Sequence, residues 1–156
     1  MGTSREVLNV AKEKTAQPKV AAERPFRLLL PPHPIAAEQA RALVRFASAE
    51  WGAHDVIDNV RLIAVELVTN ALKIGEVFEI AISWQAGTVL VEVSDSSEAA
   101  PDRQRQSAER VDGRGLLLVE ACSKDWGWRL EDRGGKTVWA IVDAPAVSAL
   151  APPTRM

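Results

Sequence analysis

The sequence predicts an α+β fold: a two-layer α/β sandwich in which one mainly antiparallel, mixed sheet carries helices packed on one face. Three observations lead to this fold class. The chain has 156 residues, 47% of them hydrophobic, which is enough to bury the core of one domain. Apolar residues recur at helical spacing over about 34–52 and 55–75. They alternate with polar residues over two neighbouring segments, 77–84 and 88–95.

The two ends of the chain are predicted to be flexible tails, residues 1–24 and 144–156. The first mixes Lys, Glu, Thr and Gln with scattered apolar residues and has no sustained period, and the second is rich in Ala and Pro. The folded domain is therefore expected to span residues 25–143.

The domain begins with a strand and a helix. The segment PFRLLL, Pro25 to Leu30, has the character of an edge strand that ends at the prolines following it. A helix should start near Pro34, because proline suits a first helical position, and stop near Gly52, a natural C-terminal cap.

A second helix and a hairpin follow. Asp55 is expected to cap the helix, which runs to Gly75. The segment VFEIAISW then alternates strictly, Ala86 and Gly87 can form a two-residue hairpin turn, and the next strand is TVLVEVSD, Thr88 to Asp95.

The last third of the chain starts with a polar segment rich in Arg and Gln, which is expected to be a mobile loop as far as Gly113. A helix over about 115–123, a strand over 126–131, a turn at 133–135 and a final strand over 136–142 complete the predicted domain.

Charge and cysteine content narrow the classes of function. The 19 basic and 21 acidic residues give a formal net charge of -2, so the chain as a whole has no electrostatic reason to bind nucleic acid or an anionic membrane. The single Cys122 cannot form an intrachain disulfide, no apolar run has the length of a membrane span, and the first residues lack the apolar core of a signal peptide. We expect a cytoplasmic protein.

The second helix carries a carboxylate and an amide, Glu66 and Asn70, in the stretch LIAVELVTNALK. Residues four apart lie on one helix face, so these two side chains can share a ligand. They lie on a narrow polar strip between two apolar stripes, and a buried charge is costly unless it is paired or solvated, so the strip should face a polar cavity. The alternative is that Glu66 pairs with Lys73 or Arg61 at the surface.

A second carboxylate ends the strand TVLVEVSD. Alternation places Asp95 on the same face as three valines, Val89, Val91 and Val93. Asp95 should therefore point toward the helix layer. The alternative is a turn or cap residue that acts with Ser96 and Ser97.

Two glycine-containing segments complete the set. In Gly113-Arg114-Gly115-Leu116 the glycines lie at a loop-to-helix junction, where backbone N–H groups can approach a phosphate. In Gly134-Gly135-Lys136-Thr137 a glycine turn leads into the last strand, which is equally well explained as a plain hairpin.

Together, and in this order, ELVTNA, a strand ending in VSD, GRGL and GGKTVWA resemble the nucleotide site of the Bergerat-fold (GHKL) ATPases. That superfamily includes gyrases, chaperones of this fold, sensor histidine kinases and mismatch-repair ATPases. The chain is most similar to the bacterial anti-sigma factor serine kinases and their stand-alone ATP-binding regulatory relatives, over Phe26 to Val142. The resemblance implies a histidine-kinase-type ATPase domain with ATP and Mg²⁺ as cofactors.

Residue roles follow from this resemblance. Asn70 would hold the Mg²⁺ that bridges the phosphates, and Glu66 would be the general base. Asp95 would accept a hydrogen bond from the adenine amino group, while Thr137 would support adenine through its hydroxyl and a water. Lys73 would place a positive charge near the phosphates.

The GxGL turn, Gly113-Arg114-Gly115-Leu116, would let backbone N–H groups meet the phosphates. Two positions depart from the pattern of the superfamily. Ser97 stands where a glycine is usual, and Ile74 stands where relatives often carry a histidine.

The resemblance implies an ATP-dependent protein-serine kinase that phosphorylates an anti-sigma antagonist protein and sequesters a sigma factor. The alternative is a catalytically silent nucleotide-binding interaction module of the same fold. A third interpretation, a DNA-binding helical pair over residues 35–74, is opposed by the acidic balance and by the two-sided burial expected of the second helix. The resemblance also implies a homodimer, formed by the edge strand at Leu28–Leu30 and the first helix.

Overall fold

The computed structural model describes residues 24–85, 87–101 and 115–144. Within these ranges, five strands form one sheet: β1 (Phe26–Leu30), β2 (Phe78–Gln85), β3 (Thr88–Asp95), β4 (Asp125–Leu130) and β5 (Lys136–Asp143). The α-helices of the same ranges are α1 (Ile35–Trp51), α2 (Ile57–Leu72) and α3 (Gly115–Cys122). The predicted tails, 1–24 and 144–156, lie almost wholly outside the described residues, as does most of the predicted mobile loop.

The sheet has the strand order β1-β2-β3-β5-β4, and each of its four neighbouring pairs is antiparallel. Because side chains alternate between the two faces along each strand, one face of the sheet packs against the helices. The inward side chains of β2, β3 and β5 belong to one buried cluster together with residues of all three described helices. The predicted α+β fold class is therefore confirmed, and β1 lies at a sheet edge as expected. The expectation of a mixed sheet is corrected, because every strand pair among the described residues is antiparallel.

The first helix follows its predicted bounds. It begins directly after Pro34 and ends at Gly52, which adopts the left-handed conformation with φ 67° and donates its backbone N–H to the carbonyl of Ala49. Its inward stripe of small residues lets it pack closely over the sheet, and the buried members are Ala36, Ala40, Val44, Ala47 and Ser48.

The start of the second helix differs from the expectation. Asp55 lies inside a 3-10 turn, His54–Val56, and α2 begins only at Ile57, so Asp55 is not its N-cap. This turn forms because it places Val56 in the core directly before the helix, and 3-10 turns are common at helix N-termini. The helix ends close to the predicted Gly75, which has φ 81°.

The second helix is the centre of the helical layer. It contacts α1, α3 and strand β3, and its buried residues are Val60, Ile63, Ala64, Leu67, Val68 and Ala71. The predicted burial of α2 on more than one side is thus confirmed. Because its core contacts continue to Ala71, the last turn is held firmly above the ends of β3 and β5.

Within the described residues, no helix combines the length and the apolarity needed to span a membrane.

Candidate functional site

A cavity of about 240 Å³ lies between the C-terminal end of α2 and the sheet. Its polar lining consists of Asn70, Lys73, Asp95, Ser97 and Lys136. Apolar side chains form its walls, among them Leu67, Val93 and Val138. The fold therefore brings together three predicted site residues, Asn70, Lys73 and Asp95, from one helix and one strand. Apolar walls with a few convergent polar groups are typical of small-molecule sites.

Asp95 supplies the acidic group among the described residues that line this cavity. Its side chain is 5% exposed, and its Oδ1 accepts a hydrogen bond from the Lys136 ammonium at 3.0 Å and from the backbone N–H of Ser97 at 2.8 Å. Both expectations for this residue hold at once, since Asp95 points toward the helix layer and also closes a turn with Ser97. In the described residues both contacts fall on Oδ1, which leaves Oδ2 for a ligand.

Sequence reasoning missed Lys136. Its side chain is 6% exposed, and its ammonium also donates to the carbonyl oxygen of Ser97 at 3.4 Å. The sequence did contain a signal that Lys136 faces the helices. Alternation along KTVWAIV places Lys136 at the start of an inward-facing row of apolar residues, and Asp95 lies at the end of such a row in TVLVEVSD. The two strands are antiparallel neighbours, so these two row ends coincide, and Asp95 is the register partner of Lys136.

Thr137 lies on the opposite face of the sheet, which corrects its expected role beside the ligand. Its hydroxyl donates to Glu131 Oε1 at 2.6 Å and shares a 2.7 Å hydrogen bond with the hydroxyl of Ser94, its register partner. Neighbouring residues of a strand point to opposite faces, so Lys136 and Thr137 cannot both line one cavity. The position that faces Asp95 is Lys136.

A second, larger cavity of about 500 Å³ lies on that opposite face and includes Thr137 in its lining. Three of its charged groups pair at short range, since Arg129 is 2.8 Å from Glu92 and 3.0 Å from Glu131. Thr137 is the only predicted site residue among the described residues that line it. The smaller cavity, with Asn70, Lys73 and Asp95, is therefore the candidate site.

Glu66 lies one helical turn before Asn70 and is half-buried. It is not among the described residues that line the cavity, whereas Asn70 is. The role of Glu66 as a general base stays a prediction.

The predicted glycine turn is described only at its end. Gly113 and Arg114 lie outside the described residues, and Gly115 is the first residue of α3. The Leu116 side chain is 1% exposed and belongs to the core cluster. Any contribution of Leu116 to a ligand must therefore come from its backbone.

Asn70 is the residue of the cavity that was predicted to hold Mg²⁺. The described residues contain no group of three or more His, Cys, Asp or Glu side chains that could hold a metal ion. Asn70 supplies an amide oxygen at the cavity wall, and Mg²⁺ commonly combines one or two protein oxygens with substrate phosphates and water. The residues present fit a Mg²⁺ ion that arrives with a phosphate ligand.

Gly135 fixes the position of Asp95 from the neighbouring turn. It has φ 80°, and a Cβ atom built on it would lie 2.1 Å from the backbone oxygen of Asp95. Gly134, with φ 97°, would meet no heavy atom within 4 Å in the described part of the chain. Only the second glycine is therefore required by the close approach of another backbone.

The chain was found to be similar to a known family of domains. A family model described as a histidine kinase-like ATPase domain matches residues 30–142. This range begins at the last residue of β1 and ends at the last but one residue of β5. No curated protein matches the chain.

The two glycines of the last turn allow a matched test of this packing. We expect Gly134→Ala to lower the free energy of unfolding by about 1 to 2 kcal/mol, the cost of a left-handed alanine. Gly135→Ala should lower it by about 2 to 5 kcal/mol, because displacement of the Asp95 backbone is added. Urea unfolding followed by tryptophan fluorescence measures both values. Equal losses in the two variants would contradict the close approach.

Proposed function

The chain belongs to the histidine kinase-like ATPase domain family, of the GHKL type, and from this premise we propose that it is a regulatory protein-serine kinase that uses ATP and Mg²⁺. Membership of this family implies ATP binding, usually with Mg²⁺. The kinase activity and the partners below are the proposed part. The observation that carries the proposal is the placement of Asp95 and Asn70 in one apolar-walled cavity.

Asp95 is suited to accept a hydrogen bond from the adenine amino group. Its Oδ1 is held by Lys136 and Ser97, so the carboxylate has a fixed orientation before a ligand arrives. Apolar side chains at the cavity wall, such as Val93 and Val138, suit the flat faces of a base.

The phosphates would lie toward the end of α2. Asn70 and Lys73 are at this end of the cavity, where an amide oxygen can reach a Mg²⁺ ion and an ammonium can approach a phosphate. Glu66, one turn earlier, would orient and deprotonate an attacking serine hydroxyl.

The proposed partners come from the resemblance to the anti-sigma factor serine kinases. In this proposal the protein binds a sigma factor, phosphorylates an anti-sigma antagonist protein and acts in the cytoplasm as a homodimer. Exposed apolar side chains support a subunit contact through β1 and α1, since Leu29 is 67% exposed and Phe46 is 54% exposed.

The second candidate is a silent nucleotide-binding module of the same fold, which acts by sequestration alone. Two observations favour it: Ile74 lines the cavity where relatives often carry a histidine, and Glu66 is not part of the described lining. The DNA-binding helical pair is opposed by the fold, because α2 is packed between α1 and α3.

The adenine contact is tested by Asp95→Asn. We expect this variant to bind ATP about tenfold to a hundredfold more weakly than the parent, because a charge-assisted hydrogen bond worth roughly 1.5 to 3 kcal/mol is lost. GTP should bind poorly to the parent. Calorimetry in the presence of Mg²⁺ measures the affinity for ATP. The protein concentration is corrected for the folded fraction, which circular dichroism gives. Thr137→Val, which removes hydrogen bonds from the opposite face, is the control and should bind ATP as the parent does. Parent-like affinity in Asp95→Asn would refute the assignment of Asp95.

The metal role is tested by Asn70→Ala. In the parent, removal of Mg²⁺ with EDTA should weaken ATP binding, because phosphate charge is then uncompensated. In Asn70→Ala the affinities with and without Mg²⁺ should converge. Asn59→Ala, an exposed position on the same helix, should keep the metal dependence of the parent. A parent that binds ATP equally well in both conditions would argue against this role.

Glu66→Ala separates the kinase from the silent module. If Glu66 is the base, the variant should bind ATP within a few fold of the parent but transfer phosphate about 10² to 10⁴ times more slowly. The measurement is transfer of labelled phosphate from ATP to an anti-sigma antagonist protein of the source organism. Asp58→Ala, a position with a side chain 82% exposed on the same helix, is the control. A parent that binds ATP and the antagonist yet transfers no phosphate would exclude the kinase.

A further inference from the structure

We infer that Lys136 is a base-specificity residue, which donates a hydrogen bond to N1 of adenine while Asp95 Oδ2 accepts from the 6-amino group. The inference rests on the proposed binding of ATP in the cavity between α2 and the sheet. It goes beyond that proposal because it assigns a ligand contact to a residue whose neighbour, Thr137, was expected to act instead.

The buried ion pair offers one donor and one acceptor to the cavity. An ammonium has three N–H donors, and in the described residues Lys136 uses two of them, toward Asp95 Oδ1 at 3.0 Å and the Ser97 carbonyl at 3.4 Å. One donor remains. On the same pair, Oδ2 of Asp95 remains as an acceptor. Both residues line the cavity, so the free donor and the free acceptor are next to each other at a surface a ligand can reach.

This pair of groups complements one edge of adenine. The Watson–Crick edge carries a donating amino group at C6 beside an accepting ring nitrogen at N1. Guanine in the same pose would bring its O6 against the carboxylate and its N1–H against the ammonium. Acceptor would then face acceptor and donor would face donor, which leaves enclosed polar groups unpaired. The arrangement therefore selects adenine through two atoms rather than one.

Enclosure gives the contact its strength. The side chains of Lys136 and Asp95 are 6% and 5% exposed, and a hydrogen bond from an ionised donor in such surroundings is stronger than one in water. The carboxylate also needs the ammonium, because a charge enclosed beside Val93 and Val138 is costly without a partner. Lys136 thus both orients Asp95 and contacts the base.

Analogues of ATP that lack single ring nitrogens test the contact on the unaltered chain. With Mg²⁺ present, 1-deaza-ATP should bind the parent at least about tenfold more weakly than ATP, because a hydrogen bond to a charged donor is lost. The control is 7-deaza-ATP, which keeps the Watson–Crick edge and should bind within about threefold of ATP. Calorimetry measures all three ligands.

The variant Lys136→Met should bind ATP more weakly and should no longer distinguish ATP from 1-deaza-ATP. Lys124→Met is the matched control, since this lysine has a side chain 59% exposed and lies away from the cavity lining. It should keep the discrimination of the parent. If circular dichroism shows that Lys136→Met is unfolded, Lys136→Gln keeps a neutral donor and should retain part of the preference for ATP.

The outcomes separate this inference from the proposed function. A parent that binds ATP and 1-deaza-ATP equally would overturn the contact from Lys136 and leave nucleotide binding intact. A preference for ATP that persists at full strength in folded Lys136→Met would overturn it as well. A parent that binds neither ligand would remove the proposed function, and this inference with it.

Discussion

The antiparallel register between β3 and β5 is the constraint on which the site depends. It sets Asp95 opposite Lys136 on the helix face and Ser94 opposite Thr137 on the other face. A shift of one strand by one residue would turn its apolar row to the solvent face and separate Asp95 from Lys136. Burial of those rows, which include Val91 and Ala140, therefore holds the polar groups of the cavity in place. The close approach of Gly135 to the Asp95 backbone adds a second, local constraint at the same point.

The helical layer forms the other side of the cavity, and there too buried apolar residues hold the polar ones in position. The helix α2 is anchored by buried residues along its length, and its polar residues occupy the strip that those contacts leave. Asn70 is held by its own helix turn and needs no mobile loop to reach the cavity. Rigid elements thus position the groups proposed to contact the adenine base and the metal ion, as precise ligand contacts require.

Much of this arrangement can be predicted from the sequence because it depends on short-range periodicity. Alternation along TVLVEVSD identified the face of Asp95, and helical spacing placed Glu66 and Asn70 on one side of α2. The failures have a different origin. The assignment of Thr137 came from a motif, and a motif does not state which of two adjacent strand residues faces inward; the register and the glycine turn decide that. The start of α2 depended on the burial of Val56, a tertiary effect that the local cap signal at Asp55 did not contain. Lys136 was missed because a lysine is rarely buried, and only its partner on the adjacent strand explains why this one is.

The ion pair of Asp95 and Lys136 also bears on how a ligand reaches the cavity. The two groups carry opposite charges 3.0 Å apart, so their fields largely cancel at a distance and this end of the cavity exerts little long-range pull on a solute. In the proposed ATP complex, long-range attraction of the triphosphate would come instead from charges near the other end of the cavity, where Lys73 lies, and it would weaken as ionic strength rises. If ATP binds as proposed, capture and recognition are separated within one small cavity: the salt-sensitive end would govern the rate of encounter, and the paired charges of Asp95 and Lys136 would govern which base is retained.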